Sequence, residues 1–470
     1  VTGPPTDLEA TDPWGGFAPI LIANLLPLIG VLALGWDATT LVAIYALEVL
    51  LSFPLAAVKA LVAQQPPPFD EEDGEAVSAD LKQRRGSVTV VPWLPPIYPR
   101  NVPFVGDVGM AVGWFWVAFG IVFSHVFDVG AVLTRPEVLA SAAALLVGVT
   151  VDLHREYLRG RQYERVSAYE VVETQVWQTL FLVVVLVGVV VPDDVGGVAL
   201  LVGFVVGKLL LEWASFRAAH GERSRLTGWL AGPTASRKPR EKPAVPGGEP
   251  DVRFSTDDTA VLWSAAHHTL FGAIFYLPWH VLLWFGSVAV LGGETPTRTL
   301  LLGTGVAFAT LYLIQLGVTV VQYVLRDLPL EYRRYDDRLV AYDEWADEPQ
   351  WAVPVHELRE ADVVRDSLPD HLLGTRRFAV TMGWGDDEFD RTLGPVSDPD
   401  AFVAACHLPV RSTELGPIDR RCSVVSVALV AALLVVVFVV LDSALFTAVL
   451  LPFVVFVPWG VWRLGYPDPD

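Results

Sequence analysis

The sequence predicts a polytopic α-helical membrane protein of about ten transmembrane helices, with one small cytoplasmic all-β domain that closes on a helix. Three observations predict it. Long apolar runs approach the roughly 20 residues that cross about 30 Å of hydrocarbon, in a chain that is 53% hydrophobic with a mean hydropathy of +0.45. Of its 33 Lys and Arg, all but Arg135 and Arg298 lie in or beside alternate gaps between those runs, which orients the runs by the positive-inside rule. Residues 329–409 instead alternate apolar and polar side chains over short stretches, the period of strands.

In chain order, residues 1–16 form an acidic tail, and the expected spans are 17–34, 39–62, 105–127, 137–151, 175–191, 196–211, 269–291 and 299–325. Together they make a bundle over 17–325, and 424–462 adds a C-terminal hairpin. Only Asp442 and Ser443 interrupt that last stretch, so one broken segment is the alternative there. The turns Gly35 to Ala38, Pro192 to Val195 and Leu441 to Ser443 hold no cation, as outer turns should. The expected location is the cell membrane, multi-pass, with both termini and every large loop cytoplasmic. Val1 reads as a GTG start taken literally and Thr2 to Pro13 is polar and acidic, so no cleaved signal is expected.

The cytoplasmic stretches differ in character. Gln64 to Asn101 mixes the acidic run Asp70 to Glu75 with prolines and reads as an irregular loop near the membrane. His154 to Thr174 has helical charge spacing, and residues 230–256, with Arg237, Lys238, Arg240 and Lys242 among Pro and Gly, read as a disordered linker. Within 329–409, Leu330 to Tyr335 and Arg338 to Trp345 flank the turn Asp336-Asp337, and Gln350 to Pro354, Ala361 to Asp366, Thr375 to Met382 and Phe389 to Leu393 are further strands. Asp398 then caps a helix with Pro399 at its first position and Phe402, Val403 and Cys406 on one face.

The formal charge of -20, from 53 Asp and Glu against 33 Lys and Arg, falls on the parts outside the apolar runs. Lysine is confined to positions 59, 82, 208, 238 and 242, and this preference for arginine resembles the usage of salt-accumulating haloarchaea. At such salt the Debye length falls below about 3 Å, so the acidic surface solvates and does not steer. Cys406 and Cys422 lack metal-ligand spacing and are expected as free thiols.

The pattern Glu331-Tyr332-Arg333, Asp337-Arg338-Leu339-Val340, Trp351-Ala352-Val353-Pro354, Leu358, Ser367, Leu373-Gly374-Thr375 and Asp398-Pro399-Asp400-Ala401-Phe402 resembles small prokaryotic pleckstrin-homology-like domains. That resemblance implies a docking module and no enzyme. At the other end Asn24, Pro27, Gly30, Gly35-Trp36, Tyr45, Glu48 and Lys59 resemble the opening of an uncharacterised family of haloarchaeal multi-pass membrane proteins. Members of that family often carry a His-Tyr-Gly motif in a later helix, which this chain lacks.

Few residues invite chemistry. Glu48 lies near the middle of its expected span, where an ionised carboxylate costs about 2.5 kcal/mol or more, and Asn24 on the first span is placed to bond it. The pair serves either structure or proton and ion coupling. Lys208 and Glu212 share a helix face and pair or snorkel. His268, with His267 and His280 on the same helix, and His125 on another suggest a metal or hydrolase centre, but about 18 Å of helix separates His268 from His280, and no His-Glu-x-x-His or Gly-x-Ser-x-Gly motif accompanies them. On the β domain Arg333, Arg334, Arg376 and Arg377 are candidates for docking an anionic lipid headgroup or a cytoplasmic protein. No cofactor, metal or nucleic-acid motif is present. The expectation is a non-catalytic membrane-anchored scaffold or sensor in the lipid bilayer, with self-association open. A small-solute or ion transporter using Glu48 is the alternative, and an intramembrane hydrolase is more remote.

Overall fold

A computed structural model describes residues 38–66, 77–126, 128–173, 242–292, 296–384, 388–436 and 456–466, with a few single positions elsewhere. The helices are α1 (Ala38–Val62), α2 (Val77–Lys82), α3 (Asn101–Val126), α4 (Val129–Leu133), α5 (Pro136–Asp152), α6 (Asp258–Gly292), α7 (Arg298–Asp327), α8 (Leu368–Leu373), α9 (Pro399–Cys406) and α10 (Arg420–Val435). The strands are β1 (Val252–Ser255), β2 (Leu330–Tyr335), β3 (Arg338–Asp343), β4 (Glu348–Pro354), β5 (Leu358–Val363), β6 (Arg376–Met382) and β7 (Phe389–Val396). The chain divides into two compact units, residues 1–69 with 118–238, and residues 70–117 with 239–470.

In the first unit α1 buries Tyr45, Val49, Phe53, Ala56 and Ala60, a helical stripe of period three to four. It runs parallel to α5, because like ends are tied together. Arg135, just before α5, donates to the Thr40 hydroxyl at 2.6 Å, while Lys59 in the last turn of α1 pairs with Asp152 at the end of α5. Tyr157 then donates its hydroxyl to the Lys59 carbonyl at 2.6 Å.

In the second unit two antiparallel sheets, ordered β1-β2-β3-β4 and β5-β6-β7, enclose one core. The tight β2–β3 turn places Asp336 at φ 27°, a backbone conformation that side chains other than glycine rarely adopt. Tyr332, Leu339, Phe378, Met382 and Leu393 are almost wholly buried between the sheets. Helix α9 closes the open end: the Asp398 carboxylate accepts from Ala401 N at 3.1 Å, and Phe402 packs against Phe254, Tyr332 and Phe378. Full burial of such a side chain is worth about 1.5–3 kcal/mol. Cys406 ends this helix inside the core, where burial pushes its thiol up to about 12.

Neighbouring strands β1 and β2 are joined by the whole α6–α7 pair. Asp258 begins α6 directly after β1, and Leu330 begins β2 directly after α7. The base of this insertion is stapled: Thr256 N donates to Leu330 O at 3.2 Å, and the Thr256 hydroxyl donates to Asp327 O at 3.0 Å. Further up, Trp284 Nε1 donates to the Thr304 hydroxyl and Tyr312 to Ala273 O, so α6 and α7 run antiparallel. The N-terminal half of α3 lies against α7 with Gly106 at Val318 and Gly113 at Leu311, also antiparallel.

The expectation of about ten transmembrane helices is corrected. Among the described residues four helical stretches are long and apolar enough to cross a membrane: Ala43–Val62, Pro136–Arg159, Asp258–Ala289 and Arg298–Asp327. Counting apolar runs overstates spans, because a run counts as a span only where it forms a helix of roughly 20 residues; α10 covers the start of the expected span 424–440, whose last residues, 437–440, lie outside the described residues. The helix over 105–127 is α3, which is not among the four. The expected spans 17–34, 175–191, 196–211 and 444–462 lie wholly or mostly outside the described residues. The linker reading of 230–256 also changes, since Val252–Ser255 is a strand paired with β2 from Val252↔Arg334 to Ser255↔Glu331. Its four residues are too few to show alternation, and their partner lies some eighty positions on. Likewise 64–101 is not wholly irregular, as it contains α2.

Candidate functional site

A cavity of about 730 Å³ opens between the two sheets of the second unit. Its floor is β2 and β4, through Tyr332 and Trp351. One wall is the end of β6 and the start of β7, through Trp384, Phe389 and Arg391, and another is the last turn of α7, Arg326 and Asp327. The segment from α2 to Arg85 supplies the remaining side.

That segment is held by the sheet it borders. Arg84 Nε donates to Asp343 Oδ2 at 2.7 Å, with both side chains at most 5% exposed, and Arg84 Nη1 donates to the Arg326 carbonyl. Asp343 Oδ1 accepts from Trp345 N and Ala346 N, each at 2.9 Å, which completes its oxygens. Gln350 on β4 exchanges two hydrogen bonds with the Arg85 backbone, and Arg391 on β7 reaches Asp80 at 3.2 Å and Gln83 at 2.9 Å. Arg84 Nη2 is buried without a hydrogen-bond partner, and a buried ion pair of this kind fixes one geometry more than it adds net stability.

Guanidinium groups dominate the wall, with Arg84, Arg85, Arg326, Arg377 and Arg391 against Asp80, Asp327 and Glu357. Arg326 is held bidentately by Asp327 at 2.8 and 2.9 Å. Aromatic faces stand beside the cations: Trp384 is 61% exposed with the Arg359 guanidinium 4.6 Å from its ring, and Arg391 lies 5.5 Å from Phe389. Tyr332 accepts from Gly394 N at 3.0 Å, and burial raises its phenol well above the ordinary range. Cationic and aromatic surfaces side by side suit a partner with an anionic group next to an apolar or flat one. The described wall contains no histidine or cysteine, and no three His, Cys, Asp or Glu among the described residues converge as metal ligands.

Of the arginines expected to dock, only Arg377 reaches the cavity, and it is 7% exposed and bound to Ser264, Ser367 and Asp370. Arg333 lies over the Tyr342 ring at 3.4 Å and pairs with Glu331 at 2.9 Å. Arg334 donates to Tyr335 O, and Arg376 donates to Thr413 O at 2.6 Å. Glu48 is half-buried on α1. Asn24, Lys208 and Glu212 lie outside the described residues, as does the side chain of His125. His268 is exposed, its ring 5.5 Å from that of Tyr323, and His280 is buried between Trp114 and Tyr312. Sequence reasoning missed Arg84, Arg85 and Arg391. The doublet Arg84-Arg85, just after Lys82 in a loop rich in prolines and acids, was the available signal; Arg391 gave none.

Compared with known proteins, residues 8–227 match a family described as a family of unknown function (DUF6498). The match ends before β1, so the strands lie outside it, while Asp80, Gln83, Arg84 and Arg85 of the cavity wall lie within it. No curated protein and no solved structure matches the chain.

Proposed function

We propose that this chain is a membrane-anchored docking protein, a scaffold or sensor whose β unit receives an anionic group of a cytoplasmic partner in the cavity between its sheets. The observation that carries the reading is that Arg326 and Asp327, the last residues of an apolar helix long enough to cross a membrane, are part of the cavity wall. A group bound there touches the membrane helix itself, so occupancy and helix position are linked. Four strands plus three, closed by one C-terminal helix, support a pleckstrin-homology-like docking module whose first two strands are parted by a helical pair. The positive-inside pattern supports a cytoplasmic β unit, and the arginine-rich, acidic composition supports a haloarchaeal source.

The test is site-specific photo-crosslinking in cells, with a photoreactive amino acid at Trp384 on the rim. The reading expects a discrete adduct that disappears on Arg391→Glu, with the same substitution leaving the protein in the membrane fraction. An adduct pattern no different from that at exposed Asp362 on β5 overturns it.

A further inference from the structure

The segment between α2 and α3 ends in a closed loop whose tip is apolar. Val88 and Ile97 bond each other in both directions, N to O, at 2.8 and 2.9 Å, and Leu94 N donates to Val91 O at 3.1 Å across the turn. The tip exposes Val90 at 67%, Trp93 at 80% and Leu94 at 39%, and no charged residue occurs from Gly86 to Pro99. Its base is fixed, with Tyr98 buried and Arg100 stacked 4.6 Å from the Tyr98 ring. A rigid base under an uncharged tip is a device for presenting Trp93, since a loop with no partner for an indole would carry a polar tip.

The level of this loop follows from the packing of α3 on α7. Gly106 lies against Val318 and Gly113 against Leu311, so the two helices run past each other in opposite directions. At 1.5 Å per residue in both helices, Asn101 is level with the last turn of α7, where Tyr323 and Arg326 stack at 4.6 Å and the apolar stretch ends. That is where a spanning helix leaves the hydrocarbon, and indole rings favour this boundary.

We infer that the Val88–Ile97 loop is a membrane-surface anchor that inserts Trp93, with Val90 and Leu94, into the headgroup–acyl boundary of the bilayer on the β-unit side. The lipid surface is preferred to a protein partner because the loop is level with the end of an apolar helix and has no charge with which to select a partner. With α7 it gives the β unit a second fixed point on the membrane, so the cavity keeps one orientation to the surface. This rests on the reading that α7 spans the bilayer.

The experiment uses the full chain in liposomes, with an environment-sensitive fluorophore on a single introduced cysteine. Cys422→Ser removes the half-exposed thiol; Cys406 stays, since it is wholly buried and its thiol is raised by that burial. Labels go at Trp93→Cys, at Leu313→Cys midway along α7, where the side chain is 65% exposed, and at Asp362→Cys on β5. Expected is quenching at 313 by spin labels deep in the acyl chains, at 93 by spin labels near the headgroup with a blue-shifted emission, and at 362 by iodide alone. Quenching at 313 with iodide access at 93 overturns the anchor while the spanning reading stands, and marks the loop as a protein-facing surface. No quenching at 313 defeats the spanning reading and the anchor with it. Val90→Cys repeats the test should substitution at 93 disturb the loop.

Discussion

Arg84 and Asp343, 259 positions apart, form an ion pair at 2.7 Å with side chains 5% and 2% exposed. Removing one partner of such a pair strands a buried charge and costs about 3–5 kcal/mol, whereas replacing both by apolar residues of like size is close to neutral. Asp343→Leu is therefore expected to lower the thermal midpoint of the purified protein strongly, and adding Arg84→Met to recover part of the loss, the remainder coming from Trp345 N and Ala346 N left without their acceptor. The check is a double-mutant cycle by chemical denaturation, in which additive losses would mean the pair is not coupled.

Phe402 is the plug of the β unit. Its ring touches three aromatic neighbours, so Phe402→Ala leaves a cavity and is expected to cost about 3–5 kcal/mol. Loss of the cap alone, Asp398→Ala, should cost about 1 kcal/mol. Denaturant titration followed by near-ultraviolet circular dichroism orders the two, and equal costs would show that the helix is not held by its apolar face.

The β unit and its closing helix were legible in the residues themselves, because Leu330 to Asp343 alternates around a turn and Asp398-Pro399 states a helix start. The first strand was not. Val252–Ser255 bonds a partner reached only after two long helices, and sequence periodicity carries no trace of such pairing. The cavity was less legible still. The wall takes Arg84 from a proline-rich loop and Arg326 from a helix end, while Arg333, Arg334 and Arg376 bond neighbouring carboxylates and carbonyls away from it. Residue type shows what a side chain offers, whereas which side chains share a wall is decided by segments far apart in the chain.

Glu331 and Glu344 make a carboxyl pair that titrates as one system. Burial alone would raise Glu331, but its hydrogen bond with Glu344, Arg333 at 2.9 Å and Arg253 at 3.9 Å outweigh this and lower it. Glu344 is raised, first by that shared hydrogen bond and then by burial. The depressed group stabilises above its unfolded value and loses this as pH falls through its folded one. The raised group stabilises below its unfolded value and loses this as pH rises through its folded one. Glu344→Gln supplies a donor to Glu331 that cannot ionise. It should remove the loss on the side above the ordinary carboxylate range and leave the acid limb unchanged. Thermal midpoints of both proteins against pH test this, and a parallel shift of the whole profile would show that the two carboxyls are not linked.

Two glycines set the distance between α3 and α7. A Cβ on Gly106 would come within 2.5 Å of Val318 Cγ1, and one on Gly113 within 2.8 Å of Leu311 Cδ2. Small residues let helix backbones approach where lipid supplies no hydrophobic drive for association. Because the clash at 106 is with a side chain, Gly106→Ala can be absorbed by a shift of Val318. Gly106→Ile cannot, and overpacking of that kind costs about 1–3 kcal/mol. The larger substitution should part α3 from α7 and so release the Val88–Ile97 loop from its level beside Arg326. In the liposome assay a label at 93 would then move from headgroup quenching toward iodide access, while a label at 313 stays deep. Gly106→Ile combined with Val318→Ala reopens the space and should restore the shallow position, which separates a packing effect on the loop from a general loss of fold.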